Sequence, residues 1–211
     1  MYKIIQSPHE ILRAATVPVP ENLPDLKKII EEMRATLLAQ KNPEGVGLAA
    51  NQVGLPYKLF LTRFDPKTSE VRVFINPQIL EHSKDFQKEK KNSPLEGCLS
   101  IPKLYGNVQR WAWVKLKYQI IRRSENSESQ KNQKAGRPDF SDSPALRSSE
   151  FSEFSEITET FENFPAVVIQ HEMDNLDGKI FTQHILEQKG KLYKITGKDK
   201  EGKEIWESVK I

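Results

Sequence analysis

Apolar residues recur at Leu26, Ile29, Ile30, Met33, Leu37 and Leu38, three or four positions apart, with lysine, glutamate and arginine between them. That spacing puts them on one side of a 3.6-residue helix and predicts a helix over Leu23–Gln40. Asn22 or Asp25 stands where an N-cap belongs, and Asn42-Pro43 ends the pattern. A second helix is predicted over Phe164–Leu176, where Phe164, Val167, Val168, His171 and Asn175 share one broad face and Gly178 is placed to stop the chain. Alternation with a period of two predicts strands over Tyr57–Thr62, Val71–Ile75 and Trp113–Ile121. Residues 1–20, interrupted by Pro8, Pro18 and Pro20, are expected to be extended. The tail from Lys191 to Ile211 reads as a short hairpin, with Leu192–Ile195 as one strand, a turn through Gly197 to Gly202, and Ile205–Val209 as the return. There is no internal repeat.

The pattern breaks near Arg123. Of the residues from Arg123 to Ser155, nine are serine, and Asn, Gln, Lys and Glu supply much of the rest. Such a stretch buries too little apolar surface to offset its ordering entropy. It is expected to be a disordered insertion, at about 123–155, in a surface loop of a single domain spanning 1–211. With 37% apolar and 29% charged residues over 211 positions, the remainder suffices for one core.

The net charge of +3 is spread along the chain, so composition demands no specific nucleic-acid partner. The single cysteine, Cys98, excludes an intrachain disulfide and fits a reducing compartment. No apolar run approaches the ~20 residues of a membrane span. The N-terminal residues lack the long apolar segment of a secretion signal. A cytoplasmic protein, acting as a monomer away from membranes, is the expectation.

Three short segments carry candidate chemistry. In His171-Glu172-Met173-Asp174-Asn175, positions 171 and 175 lie one helical turn apart, ~5–6 Å between Cβ atoms, so two side chains can face one ion. A glutamate directly after the first of them reaches a water beside that ion, which is the logic of the HExxH motif, although Asn175 stands where that motif has histidine. Glu96-Gly97-Cys98-Leu99-Ser100 offers a thiolate to a soft or borderline cation. Gly45-Val46-Gly47-Leu48-Ala49-Ala50-Asn51-Gln52 has closely spaced glycines that permit backbone approach to a ligand. It lacks the G-K-[ST] of a phosphate loop. Each segment alone has a plainer reading: a packed histidine, a small buried hydrophobe, a tight turn.

Taken together and in this order, GxGLAAxQ, EGCLS and QHExD resemble the peptide deformylase family. Pro8 to Leu12, Asn76-Pro77 and Arg110 add supporting matches. The resemblance covers nearly the whole chain apart from the serine-rich insertion and the last two dozen residues. It implies an α+β fold in which a central helix bearing His171 is wrapped by short antiparallel strands, with the Leu23–Gln40 helix packed outside. It also implies a hydrolase that removes the formyl group from N-terminal formyl-methionine of nascent peptides, working near the ribosome exit region. The implied cofactor is iron(II), with zinc, nickel or cobalt as substitutes.

By the same resemblance Cys98 and His171 are metal ligands, and Asn175 occupies the third ligand position. Glu172 matches the catalytic glutamate. Gln52 and the backbone N–H of Leu99 steady the developing oxyanion, and Gly47 aligns the substrate. Arg110 matches an arginine near the substrate groove. Val46, Phe164, Val167 and Val168 are candidates to line a methionine pocket, with ordinary core as the equal alternative.

Asn175 leaves three readings open. Its neutral amide oxygen, a weaker ligand than imidazole, holds the metal loosely. Or another side chain completes the shell, drawn from Asp174, His184, His9 and His82. Or the protein is a metal-free pseudoenzyme that keeps the fold to bind peptides or a ribosomal partner. A general metalloprotease is a further alternative, but it has no need of the Gly45–Gln52 and Glu96–Ser100 segments.

Overall fold

The computed structural model describes residues 1–88, 95–121 and 154–209. Helix α1 (Leu26–Ala39) buries Leu26, Ile30, Met33 and Leu37, the stripe its spacing predicts. It begins three residues later than expected because Asp25, its N-cap, is in the left-handed region at φ 58° and makes no side-chain cap. It stops at Ala39, one residue early, because Gln40 turns extended.

The strands are β1 (Gly47–Ala49), β2 (Leu59–Thr62), β3 (Arg72–His82), β4 (Glu96–Cys98), β5 (Ile101–Gly106), β6 (Trp113–Ile121), β7 (Phe154–Glu162), β8 (Leu192–Lys198) and β9 (Glu204–Val209). Helices α2 (Asn163–Leu176) and α3 (Phe181–Glu187) lie between β7 and β8. Among the described residues these strands pair antiparallel, in two sheets ordered β1-β2-β3-β6-β7 and β4-β5-β8-β9.

Alternation along β2 shows how the larger sheet is covered on both faces. Leu59 and Leu61 pack with Met33 and Leu37 of α1. Phe60, between them, packs with Phe74 and with Ile169 and Met173 of α2. A strand sends successive side chains to opposite faces, so one short run of apolar residues anchors a helix on each side. The smaller sheet closes against α3 through Cys98, Ile101, Phe181, Ile185 and Leu192. This is an α+β fold with α2 at its centre.

Several boundaries differ from the expected ones. β3 does not end at Ile75 but runs on to His82, because a register shift between Ile75 and Gln78 absorbs Asn76-Pro77. Asn76, at φ 49°, then uses its side chain to accept from Val19 N (2.7 Å) and donate to Val19 O (3.0 Å). The tail hairpin forms with longer strands than expected, and Gly197 sits at a bulge inside β8 rather than in the turn. β1, β4, β5, β7 and α3 were not anticipated. Most of the serine-rich insertion falls outside the described residues; its last two positions, Phe154 and Ser155, begin β7 and pair with Ile121 and Ile120. Among the described residues no helix is long and apolar enough to cross a membrane.

Candidate active site

α2 and β4 supply the reactive side chains. α2 is fixed by Gln170, which accepts from Trp111 N (3.0 Å) and donates to Trp111 O (3.1 Å) and to Ala166 O (2.9 Å). The next residue, His171, therefore projects toward β4. Its Nδ1 lies 3.0 Å from Glu96 Oε2, and Cys98 is its other side-chain partner. Burial opposes a charge on this imidazole, but the bonds to Cys98 and Glu96 outweigh it and hold its pKa well above the usual value. The sulfur and the imidazole thus meet, 73 positions apart along the chain by their numbers.

Gln52 approaches Cys98 from the short 3-10 turn that follows β1. Its Oε1 accepts from Ala49 N at 2.9 Å, which leaves its amide nitrogen 3.3 Å from Cys98 Sγ and 3.1 Å from Ser100 Oγ. Leu99, beside Cys98, lines the same cavity.

Glu172 is almost fully buried, and burial pushes its pKa up to about 7. Asn175 Nδ2 is 3.4 Å from Glu172 Oε2. Position 47 must be glycine for a steric reason: a methyl group there would lie 2.1 Å from Glu172 Oε1. The backbone oxygen of Asn175 accepts from Asn51 Nδ2 at 2.5 Å, which joins α2 to the turn carrying Gln52.

A charged network lies behind these groups. Arg110 donates to both oxygens of Glu96, each at 2.8 Å, and to Asp174 Oδ2. His184 Nε2 lies 2.9 Å from the same Asp174 oxygen. Burial alone would raise the pKa of Glu96; the bonds from Arg110 and His171 prevail and hold it at about 2. Asp174 is also lowered: burial opposes its charge, but the bonds from His184 and Arg110 win.

Arg110 was expected at the substrate groove. It does border the cavity, but its buried guanidinium is committed to Glu96 and Asp174. Its action on the site passes through Glu96 to His171. The sequence reading missed this role, and it also missed the parts of Gln170 and Glu96. The other candidate ligands are engaged elsewhere: Asp174 and His184 with each other, His9 accepting from Ile11 N, and His82 stacked on Trp111 with centroids 3.6 Å apart.

Cys98, His171 and Glu172 form the floor of a cavity of about 410 Å³. Val46, Phe164, Val167 and Val168 line its walls, Phe164 remaining 40% exposed at the rim. β1 and β4, which border it, are both terminal strands of their sheets.

A thiol and an imidazole converging here suit a divalent transition ion, and an imidazole whose second nitrogen is held by a carboxylate is in the tautomer a ligand needs. Asn175 offers only a neutral amide oxygen, and its amide nitrogen faces Glu172. Among the described residues no three His, Cys, Asp or Glu side chains group as a metal site. The residues therefore fit a metal through two strong donors, with the third place left to the Asn175 oxygen or to water.

The sequence profile of the polypeptide deformylase family matches residues 1–135 and 148–191. The skipped interval lies inside the serine-rich stretch, and β8–β9 lie past the matched span. Curated peptide deformylases from Salinibacter ruber and Desulfotalea psychrophila are each 31% identical to this chain, over 188 and 195 residues. The first alignment spans 84% of this chain and 76% of the relative; the second spans 91% and 92%. The crystal structure of peptide deformylase from Thermotoga maritima superposes with a TM-score of 0.62 at 28% identity, covering 87% of this chain and 96% of that one. By profile, relatives and fold, this chain belongs to the peptide deformylase family.

Proposed function

We propose that the protein hydrolyses the formyl group from formyl-methionine at the N-terminus of peptides, releasing formate and a free amine. The convergence of Gln52, Cys98, His171 and Glu172 on one apolar cavity carries this reading. Cys98 and His171 would hold an iron(II) ion, or zinc, nickel or cobalt in its place, which when bound would supply Lewis acidity to activate water near neutral pH.

The chain's own residues do the rest. Glu172, with a pKa of about 7, is poised to take a proton from water and pass it to the leaving amine. The Gln52 amide nitrogen, fixed by the Ala49 N–H on its other end, and the Leu99 backbone N–H steady the oxyanion as it forms. The methionine side chain fits the cavity between Val46, Phe164 and Val168. An extended peptide backbone can pair with β1 and β4, the terminal strands of the two sheets among the described residues. Substrates of this kind arise at the ribosome exit in the cytoplasm, where such a protein would meet them.

One observation favours a second reading. The Asn175 amide nitrogen faces Glu172, so the usual third donor is replaced by a group that bonds the catalytic carboxylate. On that reading the protein binds peptides with little or no metal and little turnover. Formate release from formyl-Met-Ala-Ser by protein purified without oxygen distinguishes the two. Release that disappears in Glu172→Gln supports the hydrolase; peptide binding without release from the wild type supports the second reading.

A further inference from the structure

We propose that Tyr105, backed by Trp206, reads the side chain of the residue that follows the substrate's methionine and favours an aromatic or large aliphatic residue there. This rests on the deformylase reading above.

Among the described residues, β4 has β5 on one side and no strand on the other. Its side chains alternate. Glu96 and Cys98 face inward to His171 and Gln52. Gly97, between them, faces the opposite way and pairs in register with Tyr105. A methyl group on Gly97 would lie 2.6 Å from Tyr105 Cε1 and 2.7 Å from Cδ1, so the phenol ring lies across the bare backbone of Gly97. The ring consequently borders the catalytic cavity although Tyr105 belongs to the second strand of the sheet.

A peptide paired to the β4 edge alternates in the same way. With its methionine side chain turned inward, into the cavity floored by Cys98 and His171, its second side chain turns to the Gly97 face. There it meets the Tyr105 ring, which borders the cavity. Trp206 of β9 holds that ring from the far side, with centroids 5.0 Å apart and planes at 59°. Trp206 is 43% exposed, and it lies on the hairpin beyond the family-matched span that ends at residue 191. Trp206 is a positioning residue; Tyr105 makes the contact. An aromatic partner gains an edge or stacked contact there that serine or glycine cannot make.

The test compares formyl-Met-Phe-Ser with formyl-Met-Ser-Ser in wild type, Tyr105→Ala, Tyr105→Phe, Trp206→Ala and Trp206→Phe. Binding of the product peptides Met-Phe-Ser and Met-Ser-Ser is measured in parallel by calorimetry. The wild type should favour the phenylalanine peptide by roughly two- to ten-fold in kcat/KM and in product affinity. Tyr105→Ala should bring that ratio close to one, and Tyr105→Phe should keep it. Trp206→Ala should lower the ratio through KM rather than kcat, with Trp206→Phe restoring it. A ratio near one in the wild type, or one unmoved by Tyr105→Ala, overturns the proposal. If no formyl peptide is cleaved but the products bind with this preference, the deformylase reading fails and the aromatic subsite stands.

Discussion

His171 Nδ1 sits 3.0 Å from Glu96 Oε2, and Arg110 grips both oxygens of that same carboxylate. The imidazole that faces Cys98 is thereby oriented by a carboxylate two residues from Cys98 on β4, itself held by a buried guanidinium. Residues behind a metal ligand commonly set its tautomer and basicity, and their loss lowers metal affinity by roughly 10–100-fold. Glu96→Gln should lower affinity by that order in a cobalt or zinc titration, while circular dichroism stays close to wild type. An unchanged affinity would show that Glu96 does not orient the imidazole.

Arg110→Met should be more damaging to stability than to chemistry. It strips the cation from Glu96 and Asp174, two carboxylates whose side chains are only 9% and 19% exposed. Breaking a buried pair from one side typically costs about 3–5 kcal/mol. Urea unfolding of the metal-free protein at pH 7 should show a loss of that order, against less than about 1 kcal/mol for removing a surface pair such as Lys115–Glu81.

Two glutamates should leave opposite marks on the pH dependence of stability. Glu96 has a folded pKa near 2, below its ordinary 4.5, so its contribution is present above about 4.5 and fades as pH falls toward about 2. Glu172 is raised from 4.5 to about 7, so the fold is favoured below about 4.5 and loses that advantage as pH rises through about 7. Metal-free Glu172→Gln should therefore be more stable than wild type at pH 8, and the difference should shrink at pH 5. Denaturation curves at the two pH values check this; a gain larger at pH 5 would contradict it.

Gly47→Ala adds a methyl where Glu172 Oε1 stands. Overpacking of this kind costs about 1–3 kcal/mol, and the carboxylate must also leave its place. Formate release should fall at least ten-fold. Gly202→Ala is a milder control: its φ of 82° is strained for alanine, but nothing lies within 4 Å of the added methyl.

The helix that carries the candidate site was legible because its apolar face repeats at helical spacing, and the candidate ligands because they sit in short contiguous motifs. Their supports were not. Arg110 and Asp174 are separated by 64 positions, and no periodicity marks an ion pair. β7 begins in the last two positions of the serine-rich run, and Phe161 is its one buried residue, so its pattern is weak until β6 is in place to pair with it. α3 spans seven residues, less than two full turns, too few for a helical period to emerge. β3 passes through Asn76-Pro77 because a bulge takes up the irregularity, a tertiary accommodation that composition opposes.

Metal content of the protein purified without oxygen, measured beside Asn175→His, tests the central claim most directly. The wild type should hold a divalent transition ion and release formate from formyl-Met-Ala-Ser. Asn175→His should bind the ion more tightly, by roughly 10-fold or more, as imidazole replaces a neutral amide oxygen. A wild type with neither metal nor formate release, beside a variant with both, would contradict the account.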